Sequence, residues 1–86
     1  MRVELALFGA FRQFDPAARI ELELAEDARV ADLRQAFAGY AAAHWPGFNP
    51  GLLARSAFAS EREVLRETES IPADRRMAVL PPVSGG

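Results

Sequence analysis

The sequence predicts an α+β fold in which one main helix packs on one face of a small mixed sheet. Three observations predict it. Two stretches near the N-terminus alternate apolar and polar residues, a helical stripe of apolar residues follows, and a short apolar run lies just before the C-terminus. The 86 residues suffice for one domain with a modest core. We assign this domain to residues 1–80 and a flexible tail to residues 81–86.

The two alternating stretches predict the first two strands. The first carries Val3, Leu5 and Leu7, and the second carries Ile20, Leu22 and Leu24. A period of two is typical of strands with one buried face. The segment from Phe8 to Phe14 breaks the pattern, and Asp15-Pro16 indicates a turn. A connection of this length favours an antiparallel pair joined by an elaborated loop.

Apolar residues at spacings of three, four and three predict a helix from about Val30 to Ala43. These residues are Val30, Leu33, Phe37 and Tyr40. Glu26 and Asp27 place negative charge near the start of the helix, where the helix dipole favours it. The run His44-Trp45-Pro46-Gly47 is expected to end the helix.

The second half of the sequence predicts only short elements. Residues 48–53 are expected to form a loop or a short irregular turn, and residues 56–59 a short strand. Residues 60–63 look like a helix capping box. Only the adjacent Val64 and Leu65 are apolar here, however, and adjacent residues make no helical stripe. A polar turn with short flanking strands therefore fits as well. Residues 77–80 are predicted to form the last strand.

This order of elements predicts a β-grasp, or ubiquitin-like, arrangement. A right-handed crossover would place the final strand beside the first and parallel to it. The predicted core consists of the apolar residues of the strands and of the helix stripe: Val3, Leu5, Leu7, Ile20, Leu22, Leu24, Val30, Leu33, Phe37, Met77 and Val79.

The last six residues, Pro81-Pro82-Val83-Ser84-Gly85-Gly86, form the most specific motif of the chain. Each proline fixes φ and lacks an amide donor, so the pair ends sheet pairing at Leu80. Glycine has no Cβ and fits a narrow channel. Six residues reach at most about 20 Å. The motif therefore predicts a stiff base with a thin, flexible tip that enters a partner's active site.

Composition excludes several classes of function. The net charge is −2 and the pI is about 5.3, so nucleic acid is not expected as a partner. The chain has no cysteine, and His44 is its only histidine, so no metal site is expected. All ten basic residues are arginine, which excludes a lysine nucleophile or acceptor. No apolar run has membrane-spanning length, and we expect a cytoplasmic protein without a membrane partner.

The chain resembles the sulfur-carrier family of ubiquitin-like proteins. The resemblance is greatest to the small subunits of molybdopterin synthase, which end in Pro-Pro-Val-(Ser/Thr)-Gly-Gly, a run that Pro81 to Gly86 reproduces in full. The segment from Val30 to Arg34 resembles the helix start of that family, and Phe8 to Phe14 resembles its first loop. Only the tail is a specific motif.

The resemblance implies a function and partners. An E1-like adenylyltransferase would use ATP to convert Gly86 to an acyl-adenylate, and a sulfur donor would replace AMP to leave a thiocarboxylate. The tail, Pro81 to Gly85, would then insert into the large subunit of molybdopterin synthase, in a heterotetramer. Sulfur would pass there to a pyranopterin precursor of the molybdenum cofactor. This chain would be the non-catalytic, sulfur-donating subunit and would bind no cofactor itself.

Two departures from the family pattern affect contacts and capping. Asp74-Arg75-Arg76 stands where the family commonly has a Gly-Asp turn, which affects partner contacts near that turn. Arg29 stands where a Thr or Ser often caps the helix. Its presence weakens the N-cap by about 1 kcal/mol unless Asp27 substitutes.

Docking of the body needs an apolar surface patch. We expect Phe8 and Leu80 to form it near the base of the tail, with Phe58 and Val64 close by on the same face of the sheet. The alternative is that all four are ordinary core residues of a small domain. Arg75 and Arg76 could steer the chain toward an acidic partner, but the sequence favours a solvated turn as their explanation.

Three alternatives stay open. Pro81-Pro82 favours the molybdenum pathway over the thiamine sulfur carriers, which usually lack the double proline, but carriers for cysteine or siderophore-type products also fit. A protein modifier would join Gly86 to a lysine of another protein. A ubiquitin-like binding module would use the tail only for docking.

Overall fold

The fold comes from a computed structural model that describes residues 1–82. Within them the chain forms five strands, two α-helices and a 3₁₀ helix. The strands are β1 (Arg2–Leu7), β2 (Arg19–Glu23), β3 (Ala57–Ala59), β4 (Val64–Leu65) and β5 (Arg76–Leu80). The α-helices are α1 (Val30–His44) and α2 (Pro50–Ala54), and the 3₁₀ helix is Gly9–Phe14.

The five strands form one mixed sheet in the order β2-β1-β5-β3-β4. Strand β1 pairs antiparallel with β2 and parallel with β5, which confirms both predicted pairings of the first strand. Strand β5 also pairs antiparallel with β3, and β3 with β4. The β-grasp prediction is therefore confirmed, and the sheet holds the last strand between two neighbours.

The core lies between the sheet and α1. All the predicted core residues are buried except Leu24, which is half-buried just beyond the end of β2. Helix α1 contributes Val30, Leu33, Phe37 and Ala41 to this core. An aromatic cluster closes one end of the core. The Phe37 ring packs edge-to-face against both Phe11 and Trp45, and Trp45 lies tilted against Phe48. Phe14 stacks on Trp45 with ring centroids 5.0 Å apart.

Two local expectations are corrected. The sequence predicts a loop or a short irregular turn over residues 48–53, but the regular helix α2 begins at Pro50, where the Asn49 side chain accepts a hydrogen bond from the Gly51 amide at 2.9 Å. Proline is favoured in the first turn of a helix, so the Asn-Pro pair is the sequence signal that identifies this start. At the start of α1, the capping hydrogen bond comes from Asp32 rather than from Asp27. The Asp32 Oδ2 accepts a hydrogen bond from the Arg29 amide at 2.8 Å.

The segment between β3 and β4 forms a turn rather than a helix. The Ser60 hydroxyl accepts from the amides of Arg62 and Glu63, both at 3.2 Å. The same residues that resemble a capping box thus close a hairpin turn. Of the two interpretations left open by the sequence, the polar turn with short flanking strands is confirmed.

Candidate functional site

The base of the tail lies at the end of β5, between two neighbouring segments. Leu80 is the last residue of β5 and pairs with Ala57 of β3. Pro81 and Pro82 are outside the strand, which confirms that sheet pairing ends at Leu80. On the other side, Pro81 lies against Gly9, at the start of the 3₁₀ helix. Four predicted tail residues, Val83, Ser84, Gly85 and Gly86, lie outside the described residues.

One face of the sheet carries a row of small residues next to this base. Directly paired residues share a face, so Ala6, Ala78, Ala59 and Val64 form a row across four strands on the face opposite the core. Phe8 is 46% exposed and Val64 is 59% exposed, while Leu80 is half-buried. We call this surface the outer face. It holds a shallow depression of about 380 Å³ that Ala6, Phe8, Ala78 and Leu80 help to line.

Phe58 does not belong to the outer face, which corrects the sequence prediction. It is fully buried, and it pairs with Val79 and Leu65 on the core side of the sheet. Phe58 and Val64 therefore point to opposite faces. Because β3 has only three residues, its sequence alternation is too short to reveal which side faces the core. Phe8, Val64 and Leu80 remain as predicted docking residues.

Exposed ion pairs surround the small-residue row. Arg76 lies 3.6 Å from Glu61, and Arg19 lies 3.7 Å from Glu4. Arg75 lies 3.7 Å from Glu26. Such solvent-exposed pairs contribute little to stability and are screened by salt. Each of the two arginines considered for steering thus already has an acidic neighbour, which reduces the positive potential it presents to a partner.

Arg34 is a connecting residue that the sequence analysis did not identify. Its guanidinium donates to the carbonyl oxygens of Leu53 at 2.6 Å and Ser56 at 2.9 Å. It also forms two hydrogen bonds to the Glu67 carboxylate, at 2.8 and 2.9 Å, and lies 4.9 Å from the Phe58 ring centroid. Arg34 thereby joins α1 to α2, to the start of β3 and to the loop after β4. The only sequence signal that could have pointed to Arg34 was its position in the helix start, Val30 to Arg34, that resembles the family.

Neither a group of side chains suited to a metal ion nor a membrane-spanning helix is found among the described residues, 1–82. Among residues 1–82, no three His, Asp or Glu side chains are grouped so that they could hold a metal ion. No helix in the described part of the chain is both long enough and apolar enough to cross a membrane. The outer face adjoins the base of the tail, whose last residue, Gly86, lies outside the described residues.

Comparisons with known proteins agree with this geometry. A search of curated proteins found no significant match. Among solved structures, the crystal structure of SAMP1 from Haloferax volcanii is similar over 100% of both chains, with a TM-score of 0.70 and 24% sequence identity. That likeness supports the β-grasp fold. The sequence model of the ThiS family matches residues 5–86, which include the whole tail. The chain therefore belongs to the ThiS family of ubiquitin-like proteins.

Proposed function

We propose that this protein is a sulfur carrier, and specifically the small subunit of molybdopterin synthase. The observation that carries the proposal is the tail, Pro81 to Gly86, on a β-grasp body of the ThiS family. Members of this family act with E1-like enzymes and partner proteins. The double proline favours the molybdenum pathway over the thiamine pathway, as the resemblance in sequence indicates.

The proposed chemistry takes place at the terminal carboxylate of Gly86. Its pKa is near 3.5 in model peptides, so the group is ionised and is a poor acyl electrophile at neutral pH. An oxygen of this carboxylate attacks the α-phosphorus of ATP and releases pyrophosphate, which gives an acyl-adenylate. A sulfur nucleophile such as hydrosulfide then attacks the acyl carbon, AMP leaves with the former carboxylate oxygen, and a thiocarboxylate remains. The activating partner binds the ATP.

The thiocarboxylate is a nucleophilic sulfur at the end of a tether. In the proposed synthase the tail enters the active site of the large subunit, which supplies the catalytic groups, in the heterotetramer that the resemblance implies. The sulfur is delivered there to the pyranopterin precursor. Glycines at the tip suit a narrow entrance because they have no side chains.

The outer face supports a docking role for the body. Phe8 and Leu80 adjoin the base of the tail, so a partner that binds them also receives the tail at a fixed distance. The row formed by Ala6, Ala59 and Ala78 presents small side chains to a partner surface. Exposed apolar patches of this kind mark interaction sites. We propose that the adenylyltransferase and the large subunit bind this face in turn.

Substitution of Gly86 tests the steric part of the proposal. We expect Gly86→Ala to reduce thiocarboxylate yield at least tenfold with an E1-like enzyme, ATP and sulfide, while the midpoint of thermal unfolding stays unchanged. Gly39→Ala is the matched control. Gly39 lies in α1, and outside the adjoining residues and backbone of that helix a Cβ there would meet no described atom within 4 Å. Unchanged yield from Gly86→Ala would contradict the narrow-channel argument.

A protein modifier is the second candidate function, because the same Gly-Gly terminus and acyl-adenylate would support it. The activated Gly86 would then form an isopeptide bond with a lysine of another protein and release AMP. This chain contains no lysine, so such a modifier would not form lysine-linked chains of itself. Adducts on other proteins, rather than a thiocarboxylate, would be its product.

A further inference from the structure

The base of the tail contacts the body at one position where only glycine fits. Strands β1 and β5 run parallel, and their last registered pair is Leu7 with Val79. Two residues after the end of β1, Gly9 begins the 3₁₀ helix, and Pro81 lies beside it. A Cβ built on Gly9 would stand 2.5 Å from Pro81 Cγ and 3.4 Å from its Cδ. Gly9 also has a φ of +56°, in the left-handed region.

The Pro81 ring cannot move aside easily. A change of ring pucker can shift Cγ, but Cδ, which would stand 3.4 Å away, is bonded to the backbone nitrogen, so full relief of the clash would displace the chain itself. The two prolines also have no amide hydrogen, and so they cannot be held by backbone N–H donation as strand residues are. Apart from their fixed φ and hydrogen bonds to their carbonyl oxygens, packing against a neighbouring segment is what can orient them. Gly9 provides that neighbour on one side, and the pairing of Leu80 with Ala57 holds the chain on the other.

We propose that Gly9 is a positioning residue that seats Pro81 and so sets the direction in which the tail leaves the body. The packing claim stands on the Gly9–Pro81 contact, and its consequence for sulfur transfer rests on the proposed function. A tail of six residues reaches at most about 20 Å, so a turn of about 30° at its base would shift the region that the flexible tip can reach by up to roughly 10 Å. Misplacement of a reacting group by even about 1 Å can slow a reaction about a hundredfold.

Gly47 offers a matched control for this proposal. It has a φ of +79°, so alanine at either glycine carries a similar left-handed backbone penalty. Apart from Gly47 itself and its two chain neighbours, no described residue has an atom within 4 Å of a Cβ built on Gly47. Comparison of Gly9→Ala with Gly47→Ala therefore isolates the contact with Pro81.

The test is a double-mutant cycle with Pro81→Ala, read by thermal unfolding. We expect Gly9→Ala to lower Tm by about 5 °C or more beyond Gly47→Ala. In the Pro81→Ala background this excess should largely disappear, because the ring atoms are gone. Equal effects of the two glycine substitutions, or an excess that persists without the ring, would overturn the proposal. If Gly9→Ala does not fold, recovery of folding in the double variant supports the contact, and failure to recover while Gly47→Ala folds contradicts it.

A functional readout separates this proposal from the proposed function. With an activating enzyme, ATP and sulfide, Gly9→Ala should convert Gly86 at least tenfold more slowly than Gly47→Ala does. Similar conversion by the two variants would contradict the positioning role. If the wild-type chain is not converted at all, the sulfur-carrier proposal fails, and the unfolding cycle still decides whether Gly9 seats Pro81.

Discussion

Arg75 occupies a backbone conformation that glycine adopts at lower cost. Its φ is +58°, and it lies in the turn before β5, where the Asp74 carboxylate accepts from the Arg76 amide at 3.1 Å. A non-glycine residue in the left-handed region costs about 1–2 kcal/mol. Arg75, which stands where the family commonly has a Gly-Asp turn, therefore strains the backbone at this turn. The exposed ion pair between Arg75 and Glu26 offsets only a small part of that cost.

Replacement of Arg75 by glycine should stabilise the protein. We expect Arg75→Gly to raise the free energy of unfolding by about 0.5–1 kcal/mol, because the relief of strain exceeds the added chain entropy of the unfolded state. Arg75→Ala is the control, since it removes the ion pair but keeps the Cβ. Urea unfolding of the three proteins measures the difference. A stabilisation of the same size in Arg75→Ala would show that loss of the arginine, and not relief of the backbone, is responsible.

Which residues are buried was predictable where an element was long enough to show its period. In β1 and α1 several repeats place Val3, Leu5 and Phe37 on the core side, and all three are fully buried. The burial of Phe58 was not predictable in this way, because β3 has only three residues and is too short to show which of its sides faces the core. Gly9 was not predictable either, because its role depends on Pro81, which is distant in sequence.

At the scale of elements, Arg34 connects α1 to segments that are not joined to it by the hydrogen bonds of the sheet. It satisfies carbonyl oxygens at the end of α2 and just before β3, and it pairs with Glu67 in the loop after β4. The Arg34 side chain is 23% exposed and Glu67 is 45% exposed. Bidentate pairing of this kind is stronger than an ordinary surface pair, although water screens it here. These contacts hold β3, and β3 in turn pairs with the base of the tail.

The Glu67 contact predicts a pH-dependent contribution to stability. The hydrogen bonds from Arg34 hold the pKa of Glu67 below its ordinary value near 4.5, against the opposing effect of partial burial. Because the pKa of Glu67 is lower in the folded state than in the unfolded state, the contribution of its ionised carboxylate to folding stability is complete above the unfolded-state pKa. It is lost as the pH falls through the lower, folded-state pKa.

Glu67→Gln tests this dependence. We expect the variant to be less stable than wild type by about 0.5–1 kcal/mol at neutral pH, and the difference to vanish in strongly acidic solution. Glu63→Gln is the control, since the Glu63 carboxylate forms no ion pair within residues 1–82. Urea unfolding over a pH series measures both. A difference that does not depend on pH would contradict the ionic origin of the contribution.

The elements themselves were largely predictable, and the reasons are local. Helix α1 ends within one residue of the predicted position, because Pro46 and Gly47 follow it. Strand β5 was identified because Pro81 and Pro82 mark its end. Helix α2 was missed because its five residues are too few to show a helical stripe, although the Asn49-Pro50 pair marks its start.

At the scale of the whole molecule, the parallel pairing of β1 with β5 brings the first loop to the base of the tail. Phe8 and Leu80, 72 positions apart in the sequence, thereby come to one edge of the outer face. The same topology leaves α1 on the opposite face, where it covers the core. Within residues 1–82 the sheet thus has one face covered by α1 and an outer face that no described helix covers.

Phe8 is the residue through which we would test docking. We expect Phe8→Ser to weaken binding to the E1-like enzyme about tenfold or more, because a large apolar side chain is lost from the interface. Stability should change little, since the ring is 46% exposed. Ala43→Ser, on the exposed surface of α1, is the control. Equal affinities of the two variants, measured by titration calorimetry, would remove Phe8 from the interface.

The central claim is that Gly86 carries sulfur, and intact mass spectrometry tests it most directly. The purified chain is incubated with an E1-like enzyme, ATP and sulfide, and its mass is compared with that of a sample without ATP. We predict an ATP-dependent mass gain equal to the replacement of one oxygen by sulfur, located at Gly86 by fragmentation. No such gain with several competent activating enzymes would contradict the claim, and adducts on lysines of other proteins would favour the modifier function instead.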